Sequence, residues 1–160
     1  MLPTLRLSPK NQVTIPAEGR SLLAEGELVF CGRTHAMPRQ PESEGTDPVF
    51  PLVLLMSRGE LRRREAVIRD DTTRTPLQRE ALAMKLRATI EELHFDGQNR
   101  VVLPQSFVSH LSLERDVFFV VMNDSIRVWN PLHYQRWSGP SSTTAAGVVY
   151  DPTLDNYLFA

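Results

Sequence analysis

Apolar and polar positions along residues 93–104 predict strand, turn, strand. Leu93 and Phe95 alternate with polar neighbours, Asp96-Gly97-Gln98-Asn99 is turn chemistry, and Val101, Val102 and Leu103 form a β-branched and aliphatic run. Pro104 has no N–H to give a sheet ladder, so it ends the second strand and can open a helix. Sliding the chain against itself by 88 residues puts Leu5 on Leu93, Leu7 on Phe95, Asn11 on Asn99, Val13 on Val101 and Pro16 on Pro104. The correspondence runs without a gap through Leu23 on Leu111 to Val29-Phe30 on Val117-Phe118. Two copies of one unit is the economical reading.

Each unit reads strand–turn–strand–short helix–strand–strand–helix. In the first copy the hairpin spans 5–16, the short helix 17–23, and the next strands about 27–31 and 52–56. Ser57-Arg58-Gly59-Glu60 has the spacing of a capping box and opens a helix through Leu61, Val67 and Ile68. In the second copy the short helix spans 105–111 and the strands 116–122 and 125–129, joined by a tight turn at Asn123-Asp124. Asn130-Pro131 is an N-cap followed by proline at the first helical position, opening a closing helix through Trp137.

Three segments lie outside the symmetry. Residues 32–51 form a long loop with Pro38, Pro41, Pro48 and Pro51, and its polar tract 40–47 reads as a surface excursion. Thr75-Pro76-Leu77-Gln78 caps the most regular helix of the chain, with Leu82, Leu86, Ile90 and Leu93 on one stripe; this reads as a linker helix packed across both copies. After Trp137 comes a Ser/Thr/Gly/Pro linker and an apolar tip with Val148, Val149, Tyr150, Tyr157, Leu158 and Phe159, a tail for its own subunit or for a neighbour. The expected division is a first repeat over 1–74, a linker helix over 75–92, a second repeat over 93–137 and a flexible tail over 138–160.

Composition narrows the function without naming it. The 160 residues are long enough for a real core, and with 23% charged residues and a net charge of −1 the chain is no generic polyanion binder. Any nucleic-acid contact must come from a local basic face or from several subunits together. A single Cys31 excludes an internal disulfide framework and a thiolate cluster for zinc. The first residues, Met1-Leu2-Pro3-Thr4-Leu5, lack the charged and long apolar regions of a secretion signal, so none is expected, and no apolar run approaches the roughly 18 residues of a membrane helix. The expectation is a soluble cytoplasmic protein.

The candidate chemistry sits on the hairpins. Asp96 and Arg100, four residues apart on a short polar tip, suit contact with something anionic; an exposed ion pair closing the hairpin accounts for them as well. Arg62-Arg63-Arg64 with Arg58 and Arg69 is the densest basic run, read as the solvated side of a helix partly paired with Glu60 and Glu65. His35, His94, His110 and His133 have no metal-ligand spacing, so no metal and no cofactor is expected. Trp129, Tyr134 and Trp137 read as core. No nucleophile-elbow, phosphate-loop or paired-carboxylate motif supports an enzyme.

The phrase Lys10-Asn11-Gln12-Val13-Thr14-Ile15-Pro16 resembles the signature of AbrB-type swapped-hairpin DNA-binding domains. Asp96-Gly97-Gln98-Asn99-Arg100-Val101-Val102-Leu103-Pro104, then a short helix, then 117–121 and Ile126-Arg127-Val128-Trp129-Asn130-Pro131, resembles the MraZ family of bacterial transcriptional regulators. The resemblance covers roughly residues 3–137. It implies an α+β, β-rich fold in which two tandem β-β-α-β-β-α units interleave into one swapped-hairpin β-barrel with flanking helices. It also implies a homo-oligomer that binds short G-rich direct repeats in double-stranded DNA upstream of division and cell-wall genes, in the cytoplasm with the nucleoid. The family's Asp-x-x-x-Arg motif is matched by Asp96 and Arg100. Ser8 and Gln12 stand at the equivalent places of the first copy, which keeps hydrogen bonding but loses the charge and the fork that suits guanine O6 and N7. Lys10 remains able to meet a phosphate, with Gln12 and Asn99 as weaker DNA contacts, so the first hairpin is expected to position rather than specify. The rival reading is an antitoxin-like or structural protein–protein module on the same barrel, with the tail reaching a partner.

Overall fold

Two polar turns open the two halves of the chain, and in neither does the strand before the turn pair at length with the strand after it. The computed structural model describes residues 4–23, 28–36 and 50–138, together with two short strands beyond them. Strand β1 (Leu5–Arg6) leads through the first turn to β2 (Gln12–Thr14), and β5 (Ile90–His94) leads through the second to β6 (Arg100–Val102). Each turn is closed at its base, Ser8 N–H donating to Gln12 O at 2.9 Å and Asp96 N–H to Arg100 O at 3.0 Å. Beyond that one bond the strands separate and pair with the other copy.

The exchange follows the 88-residue correspondence. β1 pairs antiparallel with β7 (Asp116–Val121), Leu5 opposite Val117, and β5 pairs with β3 (Leu28–His35), Leu93 opposite Val29. β2 pairs with β6, Val13 opposite Val101. β4 (Pro51–Met56) pairs with β8 (Ile126–Trp129), Leu54 opposite Arg127, so each ladder between the copies is either its own mate or the mate of another. The result is a six-stranded, curled antiparallel sheet in the order β1-β7-β8-β4-β3-β5 and a two-stranded ribbon β2-β6. Neither copy has enough strands to close a core alone.

One core joins sheet and ribbon. Leu7, Val13, Ile15 and Leu23 of the first copy pack with Val101, Leu103, Leu111 and the half-buried Phe95 of the second, over Val53, Leu55, Ile126 and Val128 of the central strands. These are the alternating positions that the sequence pattern marks. α1 (Ala17–Arg20) with its following 3-10 turn (Ser21–Leu23), and α4 (Gln105–Leu111), start where Pro16 and Pro104 end the ribbon. A second cluster puts Trp129 and Phe118 against Phe50 and Leu52, covered by Tyr134 and Trp137 of α5 (Pro131–Ser138). Trp129 is core, as expected, while Tyr134 and Trp137 are half-buried and pack over it. Asn130 caps α5, accepting the Leu132 N–H at 3.0 Å while its amide donates to the carbonyls of Leu111 and Ser112.

Between the copies, α2 (Arg58–Arg69) begins at Ser57, whose hydroxyl accepts the Glu60 N–H at 3.1 Å, and α3 (Pro76–Ala88) begins at a complete capping box on Thr75 and Gln78. Two expectations need correction. The stripe Leu82, Leu86, Ile90, Leu93 does not lie on one helix: α3 stops at Ala88, and Ile90 and Leu93 belong to β5, because the ladder with β3 outweighs continued helix. Leu86 and Ile90 still meet Met56 and Leu61, from a helix and a strand. The loop expected from residue 32 starts later, since β3 runs on through His35, paired with β4 on one side and, as far as Gly32, with β5 on the other. The polar tract 40–47 lies outside the described residues, as does the apolar tip except for Val149 and Tyr150. Within the tail, β9 (Ser142–Thr143) and β10 (Val149–Tyr150) pair antiparallel. No helix among the described residues is long and apolar enough to cross a membrane.

Candidate nucleic-acid interface

The two turns are built alike by different side chains. In the second, Asp96 Oδ1 accepts the N–H of Gln98 at 2.8 Å and of Arg100 at 2.9 Å. In the first, Ser8 Oγ accepts the N–H of Lys10 at 3.2 Å and of Gln12 at 3.0 Å. A hydroxyl thus replaces the carboxylate as the acceptor that folds the turn. What Ser8 cannot do is hold a cation. Asp96 Oδ2 takes Arg100 Nε at 2.7 Å, an ion pair closed across the base of the turn. The backbone N–H of Arg100, then that of Gln98 and the guanidinium, hold the Asp96 carboxyl below the ordinary carboxylate range.

Arg100 is fixed through Nε, and its two terminal nitrogens have no hydrogen-bond partner among the described residues. Its side chain remains 40% exposed. That leaves a partly oriented, open fork at the turn, the arrangement a planar acceptor or a phosphate requires. Gln12 extends its amide Nε2 to Asp96 Oδ2 at 3.5 Å, so the two hairpins meet at one carboxylate. Asn99 holds φ 59° and shapes the turn, while Lys10 is exposed on the first tip. The structure brings Asp96, Arg100, Gln12 and Asn99 to one place, with Lys10 on the neighbouring tip.

The Arg62–Arg64 run does something else. Arg63 and Arg64 hold Glu60 and reach Asp124 at 3.7 and 3.4 Å, tying α2 to the turn between β7 and β8. The hydrogen bond from Arg63 leads in lowering the Glu60 pKa. Glu65 pairs with Arg87 of α3 at 2.9 Å, not within its own run as expected. The run is a solvated helix face, with Arg62 and Arg63 exposed, that is partly paired with Glu60 as expected and also braces the fold at Asp124. Two arginines that sequence reasoning misses, Arg6 and Arg115, lie along the groove beside the first hairpin with Arg100. The β1–β7 register brings them together, and no local motif marks it. Among the described residues no group of His, Cys, Asp or Glu could hold a metal ion.

Duplicated units that exchange hairpins around one core, with their polar turns meeting at the surface, define a tandem swapped-hairpin fold. Residues 86–144 match the sequence model of a family described as "MraZ protein, putative antitoxin-like". The Transcriptional regulator MraZ of Azorhizobium caulinodans is 31% identical over 136 residues, covering 82% of this chain and 76% of that protein. That of Corynebacterium efficiens is 26% identical over 157 residues, covering 97% and 96%, and that of Rickettsia peacockii is 30% identical over 142 residues, covering 80% and 78%. The chain belongs to the MraZ family.

Proposed function

We propose that this protein is a sequence-specific DNA-binding transcriptional regulator, cytoplasmic and nucleoid-associated, that acts as a homo-oligomer on short direct repeats and controls division and cell-wall genes. The curated relatives are named as transcriptional regulators, which supports the regulatory role. The observation that carries the DNA-binding step is the Arg100 fork, anchored on Asp96 through Nε with its terminal nitrogens open. Such a fork matches guanine O6 and N7 in the major groove. Lys10 meets a phosphate as a point charge, Gln12 adds a hydrogen bond beside the fork, and Asn99 keeps the turn in shape. One specific contact per chain is weak, and the net charge of −1 adds no general attraction. Repeating the contact around an oligomer on repeated sites raises occupancy through effective concentration.

Selection of bound sequences from random duplex DNA tests this reading. Enrichment of G-containing direct repeats is expected; no enrichment over the input pool overturns it. The description "antitoxin-like" and the apolar sequence of the tail support a second reading, a protein–protein module with weak or no DNA binding. Deleting residues 138–160 separates the two. Loss of a co-purifying protein with DNA binding untouched favours the module for the tail.

A further inference from the structure

We propose that the groove beside the first hairpin is a phosphate-binding subsite, in which Arg6 and Arg115 grip the DNA backbone next to the base-reading fork. This rests on the DNA-binding reading above and assigns the first hairpin its task. The groove encloses about 520 Å³. Three arginines are among its lining residues, Arg6, Arg100 and Arg115, together with the polar residues Ser8, Gln12 and Thr14. Among the described residues that line it there is no carboxylate and no aromatic ring.

The strand swap makes this cluster. β1 lies beside β7 with Arg6 opposite Asp116, and Leu7 N–H donates to Arg115 O at 2.7 Å, which holds Arg115, the residue just before β7, beside β1. The β2–β6 ribbon adds Arg100 from the other copy, opposite Thr14. Arg6 and Arg115 are exposed, and neither has an ion-pair partner among the described residues. Asp116 stands directly across the ladder from Arg6 and forms no ion pair with it. Arg100 is offset by Asp96, but Arg6 and Arg115 bring two further cations to the groove with no ion-pair carboxylate among the described residues, and like charges side by side favour an anion between them. Guanidinium forks suit phosphate oxygens, and the absence of an aromatic ring leaves nothing to stack a nucleobase. The chemistry therefore fits a phosphodiester whose base lies elsewhere.

The second hairpin lacks this groove's charge. The 88-residue shift puts His94 in the place of Arg6 and Glu27 in the place of Arg115. Asp96 and Arg100 are on one hairpin, and the unpaired backbone-gripping arginines flank the other. The copies have divided one task.

Fluorescence anisotropy on two labelled duplexes of equal length tests the subsite, one carrying a selected sequence and one its scrambled version. The double variant Arg6→Gln/Arg115→Gln is compared with the wild type across a salt series. Equal loss on both duplexes, about fivefold or more, is expected, with the slope of log affinity against log salt falling by about 0.9 for each contact removed. Arg6→Lys/Arg115→Lys keeps the charges and is expected to retain most of the affinity. It also guards against a loss caused by misfolding, since both pairs of substitutions fall at exposed positions. Wild-type affinity and slope in the glutamine variant overturn the subsite, as does a loss confined to the selected duplex. A wild-type protein that binds neither duplex overturns the DNA-binding reading itself.

Discussion

Asn11 and Asn99 adopt the same left-handed backbone, φ 60° and φ 59°, and clasp each other's copy. Asn11 O accepts the Leu103 N–H at 2.8 Å, and Asn99 O accepts the Ile15 N–H at 3.0 Å. Each turn therefore ends by directing a carbonyl to the opposite ribbon strand, and the two bonds bracket the β2–β6 pairing. The positive φ sets the carbonyl direction, so the residue must tolerate that region. Asn and Gly do, while a β-branched side chain does not. Asn99→Gly should be nearly neutral in urea unfolding, and Asn99→Val should cost about 1–2 kcal/mol. Equal stability of the two variants would show that the turn refolds around another conformation.

Arg100→Ala separates binding from folding. The side chain is exposed and its partner lies within the same turn, so its removal opens no cavity. Asp96 still accepts the N–H groups of Gln98 and residue 100. Operator affinity should fall about five- to a hundredfold per reading contact, and more on repeated sites. Oligomer size by light scattering and the melting temperature should stay nearly unchanged. Retained operator binding at moderate salt in a gel shift would remove Arg100 from the interface.

Asp96 gives the turn an acid limit. Its folded pKa lies below the unfolded value, chiefly through the backbone N–H of Arg100. The sign follows: its contribution to stability is complete above the unfolded carboxylate pKa of about 3.9 and is lost as pH falls through the lower folded value. Asp96→Ser copies the acceptor that Ser8 supplies in the first turn. That variant should keep the fold at neutral pH and lose this part of the acid dependence. Its DNA affinity should drop because Arg100 Nε loses its anchor. Unfolding curves from pH 5 downward, wild type against variant, check the first claim; anisotropy at neutral pH checks the second.

These positions also show where sequence reading succeeds and stops. The turns, the prolines after the ribbon strands, the caps at Ser57, Thr75 and Asn130, and the alternating core from Leu7 to Leu111 are local patterns, and each is legible. The partner of a strand is not local. Alternation in 93–103 predicts strands but is equally satisfied by a hairpin and by an exchange, and family resemblance supplies the exchange. Ile90 and Leu93 continue a helical stripe by spacing, yet pairing with β3 draws them into a strand. The same limit hides the groove, because Arg6 and Arg115 are 109 positions apart and meet only through the β1–β7 register. The core asymmetry is similar. The shift pairs Gly19 with Phe107, and a side chain at Gly19 would collide with Ile126, so one copy gives the space that the other fills.

Restoring the missing motif tests whether the first hairpin faces DNA. Gln12 already reaches Asp96 at 3.5 Å, and Ser8 spends its hydroxyl on two backbone N–H groups. Gln12→Arg alone therefore brings a second guanidinium toward a carboxylate that Arg100 occupies. It adds a charge without its own anchor, so it should strengthen binding to selected and scrambled duplexes alike and steepen the salt slope by about 0.9. Ser8→Asp/Gln12→Arg supplies the anchor as well. The introduced carboxylate would accept the Lys10 and residue-12 N–H groups as Asp96 does in its turn, and hold the new fork for a base edge. The double variant should then gain about five- to a hundredfold on a duplex with a second G-containing site and little on one without it. Anisotropy with both duplexes at several salt concentrations reads the difference. A double variant that matches the wild type on every duplex would show that the first hairpin points away from DNA.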